Sequence, residues 1–411
     1  MNAPLPQRIH DLEMPEIGLP GAITAREADR RLLALAGPDA QDTTHFDTVR
    51  FPPPEWASEV MQRAMADGAL AYTPYSGDAK VLSQVADTVS KFLGIPVDPA
   101  RNIVLTPGTQ GALFCSFSSL TPRGGAVAVI DPEYFFDQRM ISFLGGTPRH
   151  VHLDVSGEMP KLDLEALEAT FRDDGTRAFV FSNPHNPTGA ILPRETLEGI
   201  AKLAQQYDVT VIADELYSRL LHKDANGKPA EFTHICSLPG MAERTITLLG
   251  PSKTESLSGF RLGVAVVPTA LQPRMENVLA ITALRAPAYS QQLLPYWLRD
   301  DNGWLESRLG EFTALRDMTL SRLRELPWLK VRQQEGTAYV WPDVTALGAA
   351  PQEVAEALLT KADVFVSPGY QFGPNSFGHF RMCYARDEAT WDRALTRIVD
   401  VLADLAKSRG L

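Results

Sequence analysis

The sequence has few of the residues and runs that mark several classes of protein. Only three cysteines occur among 411 residues, at Cys115, Cys236 and Cys383, and their odd number and wide spacing argue against a disulfide framework and a zinc cluster. Runs of Lys and Arg are missing, and the formal net charge is −11. Because a phosphate backbone is bound by basic patches, this charge argues against nucleic acid as the main partner.

Long apolar runs are also missing. No apolar stretch approaches the roughly 18 residues of a membrane span, and residues 1–10 lack the apolar core of a signal peptide. We therefore expect a cytoplasmic protein. The apolar content of 44% and the charged content of 22% are ordinary for a globular chain, and 411 residues suffice for a large α/β domain with a smaller one.

Short apolar segments alternate with helical patterns through the middle of the chain. The strand-like segments are residues 103–106, 126–130, 178–181, 209–213, 245–249 and 262–267. Continuous apolar strands separated by helices indicate a largely parallel sheet that is covered on both faces. The last two segments are too close together for a crossover helix, so we expect one of them to be antiparallel.

The pattern changes beyond residue 327. Two helical patterns occur there with three short strand candidates, at residues 329–331, 338–341 and 379–384. This change predicts a smaller α/β domain at the C-terminus, completed by the N-terminal segment.

The segment from Gly250 to Gly263 combines an amine with groups that bind anions. The amine of Lys253 can form a Schiff base with an aldehyde when its nitrogen is unprotonated. Ser252 and Arg261 can bind an anion nearby, since Arg presents a planar fork of donors that suits phosphate. An amine for an aldehyde beside an Arg for a phosphate suggests pyridoxal 5'-phosphate. In isolation, Lys and Arg in such a loop are more often part of a surface turn.

Other polar residues follow the ends of predicted strands, which is the edge where open α/β sheets bind ligands. Residues 108–110 lie between a strand and a helix, so backbone N–H groups and the positive end of the helix can receive a phosphate, although a simple helix cap fits equally. Asn186 lies in a Pro/Gly-rich segment that is either a plain turn or a source of an amide for a phenolic oxygen. Asp214 ends a strand shortly before Tyr217, and a carboxylate at that depth suits a pyridinium nitrogen.

Three motifs stand in a fixed order: Asn-Pro-x-Asn-Pro-Thr-Gly at 183–189, Asp-x-x-Tyr at 214–217, and Ser-Lys with Gly-x-Arg-x-Gly at 252–263. The combined pattern resembles the class I/II aminotransferases among the fold-type I pyridoxal-phosphate enzymes, over nearly the whole chain. The resemblance implies an α/β fold with a mostly parallel seven-stranded sheet flanked by helices, as in aspartate aminotransferase. It places the large cofactor-binding domain at residues 46–300 and a small domain at 1–45 plus 301–411.

The resemblance also implies an activity and its participants. An amino group would move from an amino acid to a 2-oxo acid through an internal aldimine on Lys253, with pyridoxal 5'-phosphate as cofactor. The chain would form a homodimer with shared active sites and would bind neither nucleic acid nor membrane. The alternative reaction is that of a same-fold lyase, decarboxylase or oxygen-using enzyme, because the carbanion chemistry is shared. A non-catalytic sensor of the same shape is disfavoured because Lys253 is intact.

Each candidate site residue takes a role from the resemblance. Lys253 matches the Schiff-base lysine and proton shuttle, Asp214 matches the partner of the pyridine nitrogen, and Arg381 matches the Arg that binds the substrate α-carboxylate. The other cofactor contacts that the resemblance implies are Asn186 and Tyr217 at the phenolic oxygen, Tyr134 on the ring face, Gly108, Thr109, Gln110, Ser252 and Arg261 at the phosphate, and Tyr72 at the phosphate of the neighbouring subunit. Asn186 is also predicted to contact the substrate.

The chain departs from the family pattern at a few positions. A loop that is often Gly-x-Pro-x-Phe in the family begins here with Asp47, which can receive a basic substrate, and contains Arg50, which can receive an acidic one. Arg285 resembles the Arg that some members present across the dimer to a side-chain carboxylate, although the spacing is one residue longer and a surface Arg fits as well. Gly250 stands where a Ser is frequent. His150 and His152 lie on a strand without a third ligand nearby, so we expect no metal site.

Overall fold

The computed structural model describes residues 6–46, 50–67, 71–172, 176–224, 226–299 and 303–411. The helices are α1 Gln7–Asp11, α2 Ala25–Leu35, α3 Glu55–Ala66, α4 Ala79–Leu93, α5 Gly108–Leu120, α6 Phe136–Phe143, α7 Leu164–Arg172, α8 Arg194–Gln206, α9 Gln272–Thr282, α10 Ala288–Gln291, α11 Trp304–Leu323, α12 Pro351–Ala362 and α13 Glu388–Ser408. The strands are β1 Gln41–Asp42, β2 Ile103–Pro107, β3 Ala126–Asp131, β4 Thr147–Asp154, β5 Lys161–Leu162, β6 Ala178–Ser182, β7 Thr210–Asp214, β8 Thr245–Leu249, β9 Leu262–Val266, β10 Tyr339–Val340, β11 Val364–Phe365, β12 Ser367–Pro368 and β13 Phe380–Cys383.

The main sheet has eight strands in the order β2-β9-β8-β7-β6-β3-β4-β5. The pairs β3 with β4, β3 with β6, β6 with β7 and β7 with β8 are parallel, while β9 is antiparallel to both of its neighbours. The predicted mostly parallel sheet is therefore confirmed, and β9 is the antiparallel member of the last two segments. The eighth strand is β5, which adds a two-residue antiparallel edge to β4.

Apolar side chains cover the sheet on both faces. In β3, Ala128 and Ile130 pack in one cluster of buried residues, whereas Val127 and Val129 pack in another. This alternation follows from the twofold period of a strand, which directs successive side chains to opposite faces. Continuous apolar runs are therefore the pattern that a sheet buried between two layers of helices requires.

Two segments differ from the strand candidates. β4 was not among the predicted strands, because its exposed positions interrupt the apolar run. His152, for example, is exposed between the buried Val151 and Leu153. Residues 329–331 do not form a strand, so this prediction was wrong, and Lys330 makes an isolated bridge to Asp343. This segment, Leu329 to Val331, has apolar residues on both sides of Lys330, but only Lys330 pairs with another segment of the described chain.

The N-terminal part of the chain joins the C-terminal part. Thr24 caps the start of α2, since its hydroxyl accepts a hydrogen bond from the N–H of Glu27 at 3.1 Å. β1 pairs in parallel with β11, and β13 lies between β10 and β12. Across the described ranges, none of the helices is long and apolar enough to cross a bilayer.

The fold places five polar segments at one edge of the main sheet. Strands β2, β3, β6, β7 and β8 end at Pro107, Asp131, Ser182, Asp214 and Leu249, respectively. Because their carboxyl ends share this edge, the segments that follow them converge there.

Candidate active site

A cavity of about 440 Å³ lies at the carboxyl edge of the sheet. It is lined by most of the residues that the sequence singles out, namely Thr109, Gln110, Tyr134, Asn186, Asp214, Tyr217, Ser252, Lys253, Arg261 and Arg381. These residues come from segments that are far apart in the chain, and the strand ends bring them together.

One end of the cavity is shaped to receive a phosphate. Gly108 begins α5 with a φ of 73°, and a Cβ at this position would collide with the guanidinium of Arg261. A Cβ on Gly263 would meet the backbone of Gly108, so glycine is needed on both sides of this close approach. The helix presents its free N–H groups and positive end beside Arg261, and this donor set fits the phosphate of pyridoxal 5'-phosphate.

Asp214 lines the cavity at the end of β7. Burial, with a smaller contribution from the nearby Glu215, raises the pKa of its carboxyl, and the resulting value is about 6. The N–H of Leu216, which donates to Oδ1 at 3.1 Å, and the charge of Lys253 act in the opposite direction. A cation beside this carboxyl would stabilise its ionised form, and the pyridinium of the cofactor is such a cation.

Two tyrosines form one wall of the cavity. The hydroxyl of Tyr217 lies 3.0 Å from that of Tyr339, and burial raises the pKa of Tyr217 well above its ordinary value. Tyr217 is therefore a neutral phenol that can donate a hydrogen bond to a phenolic oxygen. The sequence places Tyr339 on a strand but gives no signal that this residue lines the site.

Tyr134 lies on another side of the cavity. Its hydroxyl donates to Oε1 of Gln110 at 3.1 Å, and burial raises its pKa. The bond fixes an aromatic ring next to the phosphate end, as stacking on the cofactor ring requires.

Arg381, on β13, is a buried cation on the cavity lining, with 2% of its surface exposed. Its Nη1 donates to Oδ1 of Asn186 at 2.6 Å, and its Nη2 donates to the carbonyl of Thr44 at 2.7 Å. The guanidinium also lies 4.1 Å from the ring centroid of Tyr339. Within the described residues, its Nε has no hydrogen-bond partner. A buried guanidinium with a spare donor suits a carboxylate ligand.

Besides Tyr339, the lining includes further residues that were not predicted, among them Ser182 at the end of β6, Thr44, His45, and Phe135 beside Tyr134. None of them belongs to a motif, and a hydroxyl, an imidazole or a phenyl group has no distinctive spacing in the sequence. Only the folded chain places them on the cavity.

Tyr72, Arg285 and Arg50 are not among the lining residues. Tyr72 is 82% exposed, and the guanidinium of Arg285 lies 4.7 Å from its ring centroid. The Nε of Arg285 donates to the carbonyl of Thr73. Arg50 packs its guanidinium on the ring of Phe51 at 4.9 Å. The predicted role of Asp47 concerns a residue outside the described ranges.

Comparison with known proteins yields a consistent set of similarities. The family model for aminotransferase class I and II matches residues 41–398. An aspartate aminotransferase from Pyrococcus horikoshii is 29% identical over 359 residues, which are 87% of this chain and 88% of the relative. An arginine–pyruvate transaminase from Pseudomonas aeruginosa is 31% identical over 379 residues, 91% of this chain and 90% of the relative. The crystal structure of an aspartate aminotransferase from Rhodobacter sphaeroides, 35% identical, superposes with a TM-score of 0.85 and covers 92% of this chain and 99% of its own.

Proposed function

The chain belongs to the class I and II aminotransferases, which transfer an amino group between an amino acid and a 2-oxo acid with pyridoxal 5'-phosphate, and we propose that it does so in the cavity around Lys253. The observation that carries this proposal is that one cavity collects an amine, a carboxyl and two guanidinium groups from separate segments, Lys253, Asp214, Arg261 and Arg381. Each group has the chemistry that one part of the cofactor or substrate requires.

The bound cofactor supplies an aldehyde and an electron-withdrawing ring. Lys253 would provide the amine that holds the cofactor and a base that can move a proton within the site. Asp214 would stabilise positive charge on the ring nitrogen. Tyr217 and Asn186 would bind the phenolic oxygen, and Arg381 would bind the α-carboxylate with its two-pronged fork.

We propose that the site is completed by a second copy of the chain. Two observations support this proposal. Tyr72 and Arg285, which the family resemblance assigns to the neighbouring subunit's site, lie together on the surface and away from the cavity of their own chain. Other large apolar side chains are also exposed nearby in sequence, with Ile281 at 86% and Tyr289 at 38%. A homodimer would bury such side chains and deliver Tyr72 to the partner's phosphate.

The proposal extends to the substrate's side chain. Among the described residues that line the cavity, the cations are Lys253, Arg261 and Arg381, and the first two serve the cofactor. Arg381 serves the α-carboxylate, so a side-chain carboxylate needs a further cation. We propose Arg285 of a second copy for this role. Arg50 lies 3.9 Å from Asp387 and stays a prediction as a substrate ligand.

We also propose the division into a large domain at 46–300 and a small domain at 1–45 plus 301–411. The pairing of β1 with β11 supports it, because residues on either side of the large domain share one sheet. A cytoplasmic location is proposed too, and the three free, buried thiols of Cys115, Cys236 and Cys383 are compatible with it.

A half-reaction assay tests the proposed function. The purified protein, loaded with pyridoxal 5'-phosphate, is mixed with single amino acids while the absorption spectrum of the bound cofactor is followed. We expect a productive donor to convert the cofactor to its pyridoxamine form, and a 2-oxo acid to restore the original spectrum. Release of carbon dioxide or ammonia from the donor, without recovery by any 2-oxo acid, would contradict transamination.

A further inference from the structure

Glu133 is a buried acid beside the cavity that none of the roles above uses. It follows β3, and 2% of its surface is exposed. Its Oε1 accepts hydrogen bonds from the N–H of Tyr134 at 2.7 Å and from the hydroxyl of Ser182 at 2.6 Å. Its Oε2 accepts one from the N–H of Ser182 at 2.7 Å. All three donors therefore belong to residues that line the site.

The bond from Ser182 sets the direction of a longer chain of contacts. Because the Ser182 hydroxyl gives its proton to Glu133, its oxygen accepts the N–H of Asn186, at 3.0 Å. Asn186 in turn accepts from Nη1 of Arg381 at 2.6 Å. Glu133 thus stands at the start of a directed path that ends at the proposed ligand of the α-carboxylate.

A second path leaves Glu133 on its other side. The acid fixes the backbone of Tyr134, whose hydroxyl donates to Gln110 in the first turn of α5. The N–H of Glu133 donates to the carbonyl of Phe372 at 2.8 Å, and the Phe372 ring lies 4.9 Å from the guanidinium of Arg381. The side chain of Glu133 therefore fixes the segment that carries the aromatic ring, and its backbone fixes the segment that packs against the guanidinium.

Glu133 acts by its hydrogen bonds and not through an ion pair with its neighbour His185. The Nε2 of His185 is 3.7 Å from Oε2 of Glu133, but burial lowers the pKa of His185 to about 3, so the imidazole is neutral. Burial also raises the pKa of Glu133 to about 8, against the hydrogen bonds from Ser182 and Tyr134, which lower it. The three hydrogen bonds from Tyr134 and Ser182, and not the charge of the acid, therefore carry the assignment.

We propose that Glu133 is a positioning residue for the transfer reaction, acting through Ser182 on Asn186 and Arg381 and through the backbone on Tyr134. The inference rests on the proposed function, because it assigns cofactor and substrate to the same cavity. Its prediction is specific: loss of the acceptor pair should disturb the orientation of the bound cofactor and the binding of the α-carboxylate more than the folding of the chain.

Glu133→Gln tests this assignment. The amide that replaces the carboxyl has one acceptor oxygen and one NH₂ group. In one orientation the NH₂ group faces the N–H of Ser182, and in the other it faces the hydroxyl of Ser182 and the N–H of Tyr134. In either orientation, a donor faces a donor. Leaving a buried donor unpaired has a cost of about 1–3 kcal/mol, which corresponds to roughly 5-fold to 150-fold in an equilibrium constant. We expect KM for amino donor and 2-oxo acid to rise about tenfold, and the visible circular dichroism of the bound cofactor to change.

Two further variants make the test specific. Ser182→Ala removes the relay and should reproduce both effects, and the double variant should be no worse than the poorer single variant, because the two residues act as one unit. Glu168→Gln is the matched control: Glu168 accepts the hydroxyl of Tyr207 at 2.8 Å, outside the cavity lining, and its substitution should leave KM and dichroism unchanged.

The outcomes separate this inference from the proposed function. If wild type transaminates and Ser182→Ala has the KM and dichroism of wild type, the relay is overturned, even if Glu133→Gln fails to fold. The relay is also overturned if the fold-changes in KM of the two single variants multiply, to within twofold, to the fold-change of the double variant. If wild type binds pyridoxal 5'-phosphate but no donor reacts, the proposed function fails, while the dichroism of the variants still decides the role of Glu133.

Discussion

Replacing Arg381 by Ala tests the proposed recognition of the α-carboxylate. The guanidinium is 2% exposed, makes hydrogen bonds to Asn186 and to the carbonyl of Thr44, and keeps a free Nε. Its fork would give the substrate carboxylate two charge-assisted hydrogen bonds, each contributing about 1.5–3 kcal/mol. Truncation would then remove about 3–5 kcal/mol of transition-state binding.

We therefore expect kcat/KM of Arg381→Ala to fall by about two to four orders of magnitude. The loss should affect donor and acceptor alike, because both carry the carboxylate. A primary amine without a carboxylate should react as slowly with the variant as with wild type. Arg381→Lys keeps the charge but loses the planar fork, so its kcat/KM should fall between those of wild type and Arg381→Ala.

Stopped-flow measurement of each half-reaction provides the assay. Thermal unfolding of the cofactor-loaded variants is the control, since truncation also removes the packing of the guanidinium on Tyr339 and Phe372. An unchanged apparent affinity for both carboxylate substrates would show that another residue binds them. An equal loss with the carboxylate-free amine would show that Arg381 supports the site without recognising this group.

Four other predictions concern the remaining parts of the site. Lys253→Ala should abolish cofactor anchoring and turnover while the circular dichroism of the backbone stays native; turnover within about tenfold of wild type would refute the assignment. Mixing Lys253→Ala with Tyr72→Phe chains should restore part of the activity if Tyr72 serves the partner's site, and no recovery in isolated heterodimers would contradict that. Arg285→Ala should lower kcat/KM for dicarboxylic substrates by about 2–4 kcal/mol and spare apolar ones, and an equal effect on both, measured in parallel, would reject a specificity role. The pKa of Asp214 is raised to about 6 in the folded chain, so cofactor-free protein should lose stability as pH rises from about 4 to 6, and denaturant titrations should show a smaller loss for Asp214→Asn.

The pattern of apolar runs predicted the core of the sheet because buried strands leave a strong signal. β3, β6, β7 and β8 are continuous apolar segments, and the structure places them side by side in parallel. β4 left a weaker signal, since its exposed positions carry polar residues. The strand predicted at 329–331 failed because propensity alone cannot supply a neighbouring strand with which to pair.

The motifs predicted the polar centre of the site better than its walls. Asp214, Lys253 and Arg261 belong to motifs with fixed spacings, so their grouping was predictable. Tyr339 and Ser182 are ordinary residues on strands, and they become part of the site because of register and sheet order. Register is a property of long-range pairing, which a local pattern does not contain.

The described cavity also limits how substrate choice can arise. Among the described lining residues, Arg261, Lys253 and Arg381 already have proposed partners, which are the phosphate, the cofactor aldehyde and the α-carboxylate. The further basic residue on this described lining is His45. His45 is exposed and lies 3.1 Å from Asp42. Burial opposes ionisation of Asp42, but hydrogen bonds from His45 and Thr44 lower its pKa to about 2, so this carboxylate is charged and already engages the imidazole. An acidic side chain would have to compete with Asp42 for His45. Among the described residues, Arg285 contacts the carbonyl of Thr73 and the rings of Tyr72 and Tyr75, and no carboxylate. Selectivity for dicarboxylic substrates, if the assay finds it, would therefore support the proposed contribution of a second copy over one from the described cavity lining.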